Sequence, residues 1–391
     1  MGKRRAHRRW LLIWLGSFLL LVAPAYGYEW KTLEPVLDQE IAALDLEALT
    51  SFLACLDAET QELLPRWDLK GWVRGGMKLD LAELLKKFLA FLGREVRLNL
   101  HLLGKLILLA VIGGVLSHFQ QAWAGESIGR LVEDIIYLVL MGLAVQSFTT
   151  TLRLAYSTLE RVNDFVLALL PSIFTLLAAA GGITLTTVCH PVVWAGTGIV
   201  INLIKNVVLP LILLAGMIGL VSRLAKGFTV SKLAEVSRQG SVLLLTFLVT
   251  IFLAVVSLQG VTVAAADGLG FQAAKFVTGN LVPLVGGVVA DSLELAAGCS
   301  LLIKNALGAF AALGVVFLCL YPALKILVVA FIYRLAAVFV QPLGQDRLAE
   351  SLQEIGKTVM VVFATITVVS LMFFFCLAIL VGLGNMTAVM R

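Results

Sequence analysis

Long apolar runs, each separated from the next by a short polar stretch, fill the chain from residue 100 onward. Runs of this length are typical of helices that cross a lipid bilayer. We predict membrane segments at residues 100–116, 131–148, 165–180, 197–221, 240–256, 281–297, 306–339 and 359–383. The predicted fold class is therefore an all-α polytopic membrane protein with about seven or eight transmembrane or re-entrant helices.

Two of these segments are compatible with more than one structure. Residues 281–297 hold Asp291, Glu294 and the pair Gly286-Gly287, a composition that fits either a full span or a re-entrant or broken element. Residues 306–339 are long enough for one kinked helix or for two tightly packed helices around Pro322.

Residues 26–99 have a different, amphipathic pattern. Apolar residues recur at roughly helical spacing in two sets, Leu44, Leu46, Leu49, Phe52, Leu53 and Leu56, then Leu79, Leu81, Leu84, Leu85, Phe88 and Leu92. Pro65, Gly71 and Gly75-Gly76 interrupt the pattern between the sets. We expect a small helical hairpin that packs on the membrane or on a partner.

The first 25 residues have the pattern of a secretory signal peptide. Five basic residues precede the apolar run 11–22, and Ala23-Pro24-Ala25 supplies small residues at a cleavage position after Ala25. The alternative is an uncleaved first transmembrane helix. In either case residues 26–99 are expected to lie outside the cytoplasm.

Composition excludes a soluble enzyme. Of 391 residues, 60% are apolar and 14% are charged, and the mean hydropathy is +0.98. The formal net charge of +5 equals the five basic residues before the first apolar run, so the remaining chain is neutral (5 − 5 = 0). It offers no basic surface for nucleic acid.

The tetrapeptide Leu-Ile-Lys-Asn occurs twice, at residues 203–206 and 302–305. Each copy is followed by an apolar run, a linker with Leu-Ala-Glu (231–235 and 346–350) and another span. This order indicates an internal duplication. We divide the membrane part into a first hairpin, 100–160, and two repeat units, 161–260 and 261–391.

The charges of the linkers bear on topology. Residues 222–239 carry Arg223, Lys226, Lys232 and Arg238 against Glu235, which favours a cytoplasmic position. The two units are parallel if both linkers lie on the same side of the membrane, and inverted if they lie on opposite sides.

Chemistry-bearing motifs are sparse. The five cysteines have no metal-ligand spacing, and the chain shows neither a glycine-rich nucleotide loop nor a hydrolytic set of serine, histidine and acid. We therefore predict no enzyme activity and no catalytic, cofactor or metal site. The candidate site consists of polar residues in apolar segments, namely Lys205, Asn206, Asp291, Glu294, Lys304 and Asn305.

Two roles are open for these six residues. They line a polar translocation path, or they fix helix contacts through snorkelling, pairing and interhelical hydrogen bonds. Asp291 and Glu294 are three residues apart, so they share a face if that element is helical.

An ordered set of short motifs resembles the stage III sporulation protein AE family of endospore-forming bacteria. These are Leu169-Leu170-Pro171, Val230-Ser231-Lys232-Leu233-Ala234, Gln259-Gly260, Asp267-Gly268, Lys275-Phe276, Val282-Pro283, Gly286-Gly287, Asp291, Gly298-Cys299-Ser300 and Lys304-Asn305. The resemblance covers nearly the whole chain, and the ectodomain is its least similar part.

The resemblance implies a sporulation role without enzyme activity. Such a protein is expected in the mother-cell membrane around the forespore, as a polytopic component of a secretion-like channel, or feeding tube, that late forespore development requires. The implied partners are the other proteins of the stage III sporulation A operon, a forespore membrane protein and the lipid bilayer. A homo-oligomer is left open, and no cofactor is implied.

The residues alone also fit a secondary transporter or permease that moves a small solute through a polar-lined helical bundle. A transporter should hold a substrate-sized polar cavity at mid-membrane within one protomer. A channel subunit should depend on oligomerisation or on companions.

Overall fold

In a computed structural model of the chain, residues 81–123, 126–222, 231–281 and 286–389 are described. All regular elements within these ranges are helices. The predicted signal peptide and most of the predicted extracytoplasmic segment lie outside the described residues.

Seven α-helices are present in the described ranges: α1 (Leu81–Trp123), α2 (Glu126–Ala179), α3 (Ile183–Leu203), α4 (Leu209–Val221), α5 (Ser231–Leu281), α6 (Gly286–Val340) and α7 (Asp346–Val389). A π-helical segment, Ile204–Val208, joins α3 to α4, so these elements form one continuous rod. The six resulting rods each hold a stretch that is long and apolar enough to cross a membrane. The predicted all-α polytopic membrane fold is confirmed.

The predicted membrane segments merge into fewer, longer helices. Segments 131–148 and 165–180 both belong to α2, and segments 281–297 and 306–339 both contribute to α6. Residues 286–297 are therefore the first turns of α6, and Pro322 lies inside one helix. The two-helix alternative around Pro322 is wrong.

The predicted segments merge because a polar residue lowers the hydropathy of a segment without ending its helix. Charged residues such as Arg153 and Glu160 interrupt the hydropathy of α2 but keep good helix propensity, so the backbone continues through them. The proposed unit boundaries at residues 160 and 260 fall inside α2 and α5. The division into domains stays a prediction.

α6 and α7 form the most extensively packed pair of the bundle. A short 3-10 turn, Gln341–Leu343, connects them through Gly344, whose φ of 72° lies in the left-handed region that glycine adopts without strain. Large side chains from α2, α6 and α7 fill the core, including Phe165, Phe310, Tyr333 and Phe373. By contrast, α5 exposes apolar residues such as Leu243 (72%), as expected for a surface that faces lipid.

Polar contacts show which helix termini lie together. The hydroxyl of Tyr137 on α2 donates to the carbonyl oxygen of Leu220 on α4 (2.8 Å), and Ser351 Oγ on α7 donates to Tyr137 Oη (3.2 Å). Arg238 on α5 pairs with Glu354 on α7. The end of α4 and the starts of α5 and α7 thus meet at one end of the bundle, which we name the linker end.

Both Leu-Ala-Glu segments lie at the linker end, which is the arrangement expected of parallel units if the chain is duplicated. We predicted that these segments are linkers, but they are helical. α5 begins at Ser231 and α7 at Asp346, two residues before each Leu-Ala-Glu. The duplication and the cytoplasmic position of this end stay predictions.

Candidate functional site

Lys205 lies on the outside of the bundle, within the π-helical segment. Its ammonium pairs with the carboxylate of Glu160 on α2. The side chain of Lys205 is 25% exposed and that of Glu160 is 57% exposed. The pair therefore sits on the surface of the bundle, where α2 lies beside the π-helical segment.

Pro210 leaves the carbonyl of Lys205 without a main-chain donor in the π-helical segment. The N–H of Leu209 donates to the carbonyl of Ile204, five residues earlier. In this register the carbonyl of Lys205 would pair with residue 210, but Pro210 has no N–H. The hydroxyl of Tyr156 donates to this carbonyl instead (2.9 Å).

The second Leu-Ile-Lys-Asn copy has a different local structure. Five residues after Lys304 stands Ala309, which retains its N–H, and α6 is α-helical throughout this region. Identical tetrapeptides therefore adopt different helix types.

Lys304 is fully buried, with 0% exposure. Its Nζ donates to the carbonyl oxygen of Val381 (2.9 Å) and to Oδ1 of Asn385 (3.4 Å), both on α7. A Cβ atom at Gly384 would overlap this Nζ, so the glycine provides the space for the ammonium. Such bonds offset part of the cost of removing a lysine from water.

The amide residues of the two copies also differ. Asn206 is exposed, and its Nδ2 donates to Oδ1 of Asn202 one turn earlier. Asn305 has a buried Oδ1 that accepts no hydrogen bond within the described part of the chain. Asp291 and Glu294 lie on the α6 backbone, but their side chains are outside the described set.

The two lysines lie at different levels of the bundle. Their separation can be estimated along α2, which contacts both regions. Glu160 on α2 contacts Lys205, and Leu177 on α2 packs at Gly384, beside the Lys304 ammonium. The 17 residues between them (177 − 160) correspond to about 26 Å along a helix. The structure therefore does not bring Lys205 and Lys304 into one cluster.

A second ion pair lies at the level of Lys205. Glu95 on α1, only 3% exposed, pairs with Lys325 on α6 (3.7 Å), whose ammonium lies 4.5 Å from the centroid of the Tyr321 ring. Lys325 precedes Gln341 by 16 residues (341 − 325), and Lys205 precedes Val221 by 16 (221 − 205). Both pairs thus lie about 24 Å from the linker end; we name them the charged belt.

Asp267 belongs to one of the motifs of the family resemblance, but the sequence analysis assigned it no role. Its carboxylate on α5 accepts hydrogen bonds from the N–H groups of Thr184 (3.1 Å) and Leu185 (2.7 Å), in the first turn of α3. Gly182 at the N-cap position has no side chain to do this. A carboxylate is favoured here by the unpaired N–H groups and by the helix dipole.

The polar network at the linker end was not predicted either. Glu354, which is 9% exposed, pairs with Arg238 and with Lys357 (3.5 Å). Arg347 pairs with Asp134 (2.7 Å), and its guanidinium lies 4.4 Å from the centroid of the Tyr137 ring. The only signal in the sequence was a cluster of both charge signs beside the Leu-Ala-Glu segments.

Comparisons with known proteins agree with the sequence motifs. A family model described as stage III sporulation protein AE matches residues 68–384. The stage III sporulation protein AE of Bacillus subtilis (strain 168) is 34% identical over 364 residues, which cover 92% of this chain and 91% of that protein. No solved structure matches the chain.

Proposed function

Because the chain belongs to the stage III sporulation protein AE family, we propose that it is a non-enzymatic, polytopic subunit of a secretion-like channel complex between the mother cell and the forespore. In this proposal the protein lies in the mother-cell membrane around the forespore. It acts with the other proteins of the stage III sporulation A operon and with a forespore membrane protein in late forespore development.

The observation that carries this proposal is the surface position of the Lys205–Glu160 pair. At the linker end, the apolar stretches of α5 and α7 begin just after Arg238 and Lys357, which marks the boundary of the hydrocarbon there. Lys357 is 11 residues into α7 (357 − 346), or about 16 Å. The charged belt, about 24 Å from the same end, therefore falls inside the apolar zone.

Charged groups at this depth are costly when they face lipid. A second subunit or a water-filled passage between subunits would remove that cost, because either replaces hydrocarbon around the carboxylate of Glu160. The belt thus supports a protein that works as part of an assembly, with a second copy or a companion against α2 and the π-helical segment.

A transporter within one protomer is the second candidate. The buried Oδ1 of Asn305, next in sequence to Lys304, favours it, because this oxygen accepts no hydrogen bond from any described residue and could contact a substrate. The distance of about 26 Å between the levels of Lys304 and Lys205 weighs against a single polar site that contains both lysines.

Crosslinking in sporulating cells tests the proposal. A photoreactive amino acid at exposed Asn202 should crosslink to a companion protein or to a second copy of the chain, whereas the same group at lipid-facing Leu243 should not. Equal labelling of lipid alone from both positions would contradict a protein-covered belt. A crosslink to protein would then be identified by mass, which separates a homo-oligomer from a complex with companions.

A further inference from the structure

A groove of about 440 Å³ lies between the last turns of α6 and the first turns of α7. Arg334 and Val338 line it on α6, one turn apart, together with Gln341 in the following 3-10 turn. Four residues line it on one face of α7: Asp346, Glu350, Gln353 and Lys357. The small side chains of Ala337 and Ala349 leave its floor open. The groove is at the linker end, apart from the charged belt.

Charge is ordered along this groove. The acids, Asp346 and Glu350, lie toward the tip of the hairpin, and the bases, Arg334 and Lys357, lie deeper. Arg334 is exposed and has no ion-pair partner among the described residues. Lys357 is 45% exposed and touches Glu354 from the side (3.5 Å).

The depth of the bases matches the boundary of the hydrocarbon. Lys357 is the last charged residue before the apolar stretch of α7. On α6, Phe331 (53% exposed) lies one turn toward the membrane from Arg334, and Val338 (63% exposed) forms part of the groove wall. Cations at this depth, flanked by exposed apolar side chains, are the arrangement that holds a lipid phosphate above its acyl chains.

We propose that this groove binds one zwitterionic phospholipid headgroup with a primary ammonium, as in phosphatidylethanolamine. Arg334 and Lys357 hold the phosphate, and Glu350 and Asp346 hold the ammonium farther from the hydrocarbon. This order reproduces the order of the two charges in the lipid. An anionic lipid is disfavoured by the acids, and phosphatidylcholine by its ammonium, which has no N–H to donate.

The spacing agrees with this ligand. From Glu350 to Lys357 the rise along α7 is seven residues (357 − 350), or about 10 Å. The side chains of Glu350 and Lys357 are long, so the distance between their charged groups can be shorter than this rise. That distance suits one phosphate and one ammonium. Gln341 and Gln353 add uncharged donors and acceptors between the two levels.

Native mass spectrometry of the full-length protein, released from nanodiscs of equal phosphatidylethanolamine, phosphatidylglycerol and phosphatidylcholine, tests the proposal. We expect one phosphatidylethanolamine retained about fivefold above either other lipid, the effect of a partly exposed ion pair. Arg334→Gln should abolish this enrichment. Glu350→Gln should keep phospholipid binding but lose the preference over phosphatidylglycerol.

Lys232→Gln is the matched control, because Lys232 is exposed on the first turn of α5 and lies outside the groove. It should retain the lipid as the wild type does. The double variant Arg334→Glu/Glu350→Arg keeps the charges but reverses their order, and it should retain no phosphatidylethanolamine.

Three outcomes would overturn the proposal. These are retention of no lipid by the wild type, equal retention by Arg334→Gln, and a preference for phosphatidylglycerol, which would indicate a plain anion site. A measurement without substitutions guards against misfolded variants: the Tm of the wild type should be higher with phosphatidylethanolamine than with phosphatidylcholine, and equal values would contradict the site. None of these outcomes depends on the channel function proposed above.

Discussion

The hydroxyl of Tyr156 on α2 donates to the main-chain carbonyl of Lys205, over 2.9 Å, at the one point where the adjoining rod is π-helical. Pro210 removes the backbone donor that this carbonyl would otherwise use. The side chain of α2 and the irregular backbone of its neighbour are therefore complementary, and the bond ties two rods together at the charged belt.

Tyr156→Phe should lower the free energy of unfolding by about 1 kcal/mol, because the carbonyl of Lys205 loses its donor inside the bundle. Tyr321→Phe is the control, since the buried Tyr321 hydroxyl has no hydrogen-bond partner in the part of the chain that the structure describes, and its removal should be neutral. Thermal unfolding in detergent measures both. Adding Pro210→Ala to Tyr156→Phe should recover part of the loss, and an equal effect of both tyrosine changes would refute the explanation.

Asp267→Ala should destabilise the start of α3 by about 1–2 kcal/mol, because two N–H groups lose their acceptor. Hydrogen exchange should accelerate at the amides of Thr184 and Leu185. Asp164→Ala is the comparison, since Asp164 is exposed on α2, where it accepts a hydrogen bond from its neighbour Asn163 (3.5 Å). Unchanged exchange at Leu185 in Asp267→Ala would show that the carboxylate is not the cap.

Glu354→Gln should cost about 3 kcal/mol, because it leaves Arg238 and Lys357 without their shared, nearly buried partner. Glu235→Gln removes the other carboxylate that contacts Arg238 (3.2 Å), but this group is 57% exposed and its loss should cost less than about 0.5 kcal/mol. Chemical unfolding of both variants gives the difference. Gly219→Ala tests the position of the Glu354 side chain independently, since the added Cβ would lie 2.9 Å from Cγ of Glu354.

Gly384→Ala should reduce stability by about 1–3 kcal/mol, because the new methyl group occupies the space of the Lys304 ammonium. Gly382→Ala, on the same helix with no atom within 4 Å of its Cβ position, should be neutral. The measurements are Tm and accumulation in the membrane. If both alanine variants behave alike, the ammonium is not held where the structure places it.

Much of the architecture follows from the chain itself. The apolar runs were sufficient to predict an all-helical membrane bundle, since a backbone in lipid must satisfy its own hydrogen bonds. Helix continuity was missed in α2 because hydropathy registers Arg153 and Glu160 as interruptions, whereas the backbone does not. Hydropathy indicates which residues lie within the membrane, whereas the ends of a helix depend on capping residues and on proline.

The candidate residues were less predictable because their environments depend on other helices. Lys205 and Lys304 share a tetrapeptide, yet one is partly exposed beside Glu160 and the other is buried against Val381. Pro210 could have indicated in advance that a carbonyl in the preceding turn lacks its main-chain donor. Nothing local to Glu354 or Asp267 indicated partners 116 and 82 residues away.

The cap on α3 also has a temporal consequence. The carboxylate that closes the first turn of this helix belongs to residue 267, so 82 further residues must be synthesised after Leu185 before that turn is complete. While the ribosome adds α4 and most of α5, the N–H groups in the first turn of α3 lack the carboxylate that accepts their hydrogen bonds. The N-terminus of the third rod is therefore capped only after the next rod, α5, has entered the membrane.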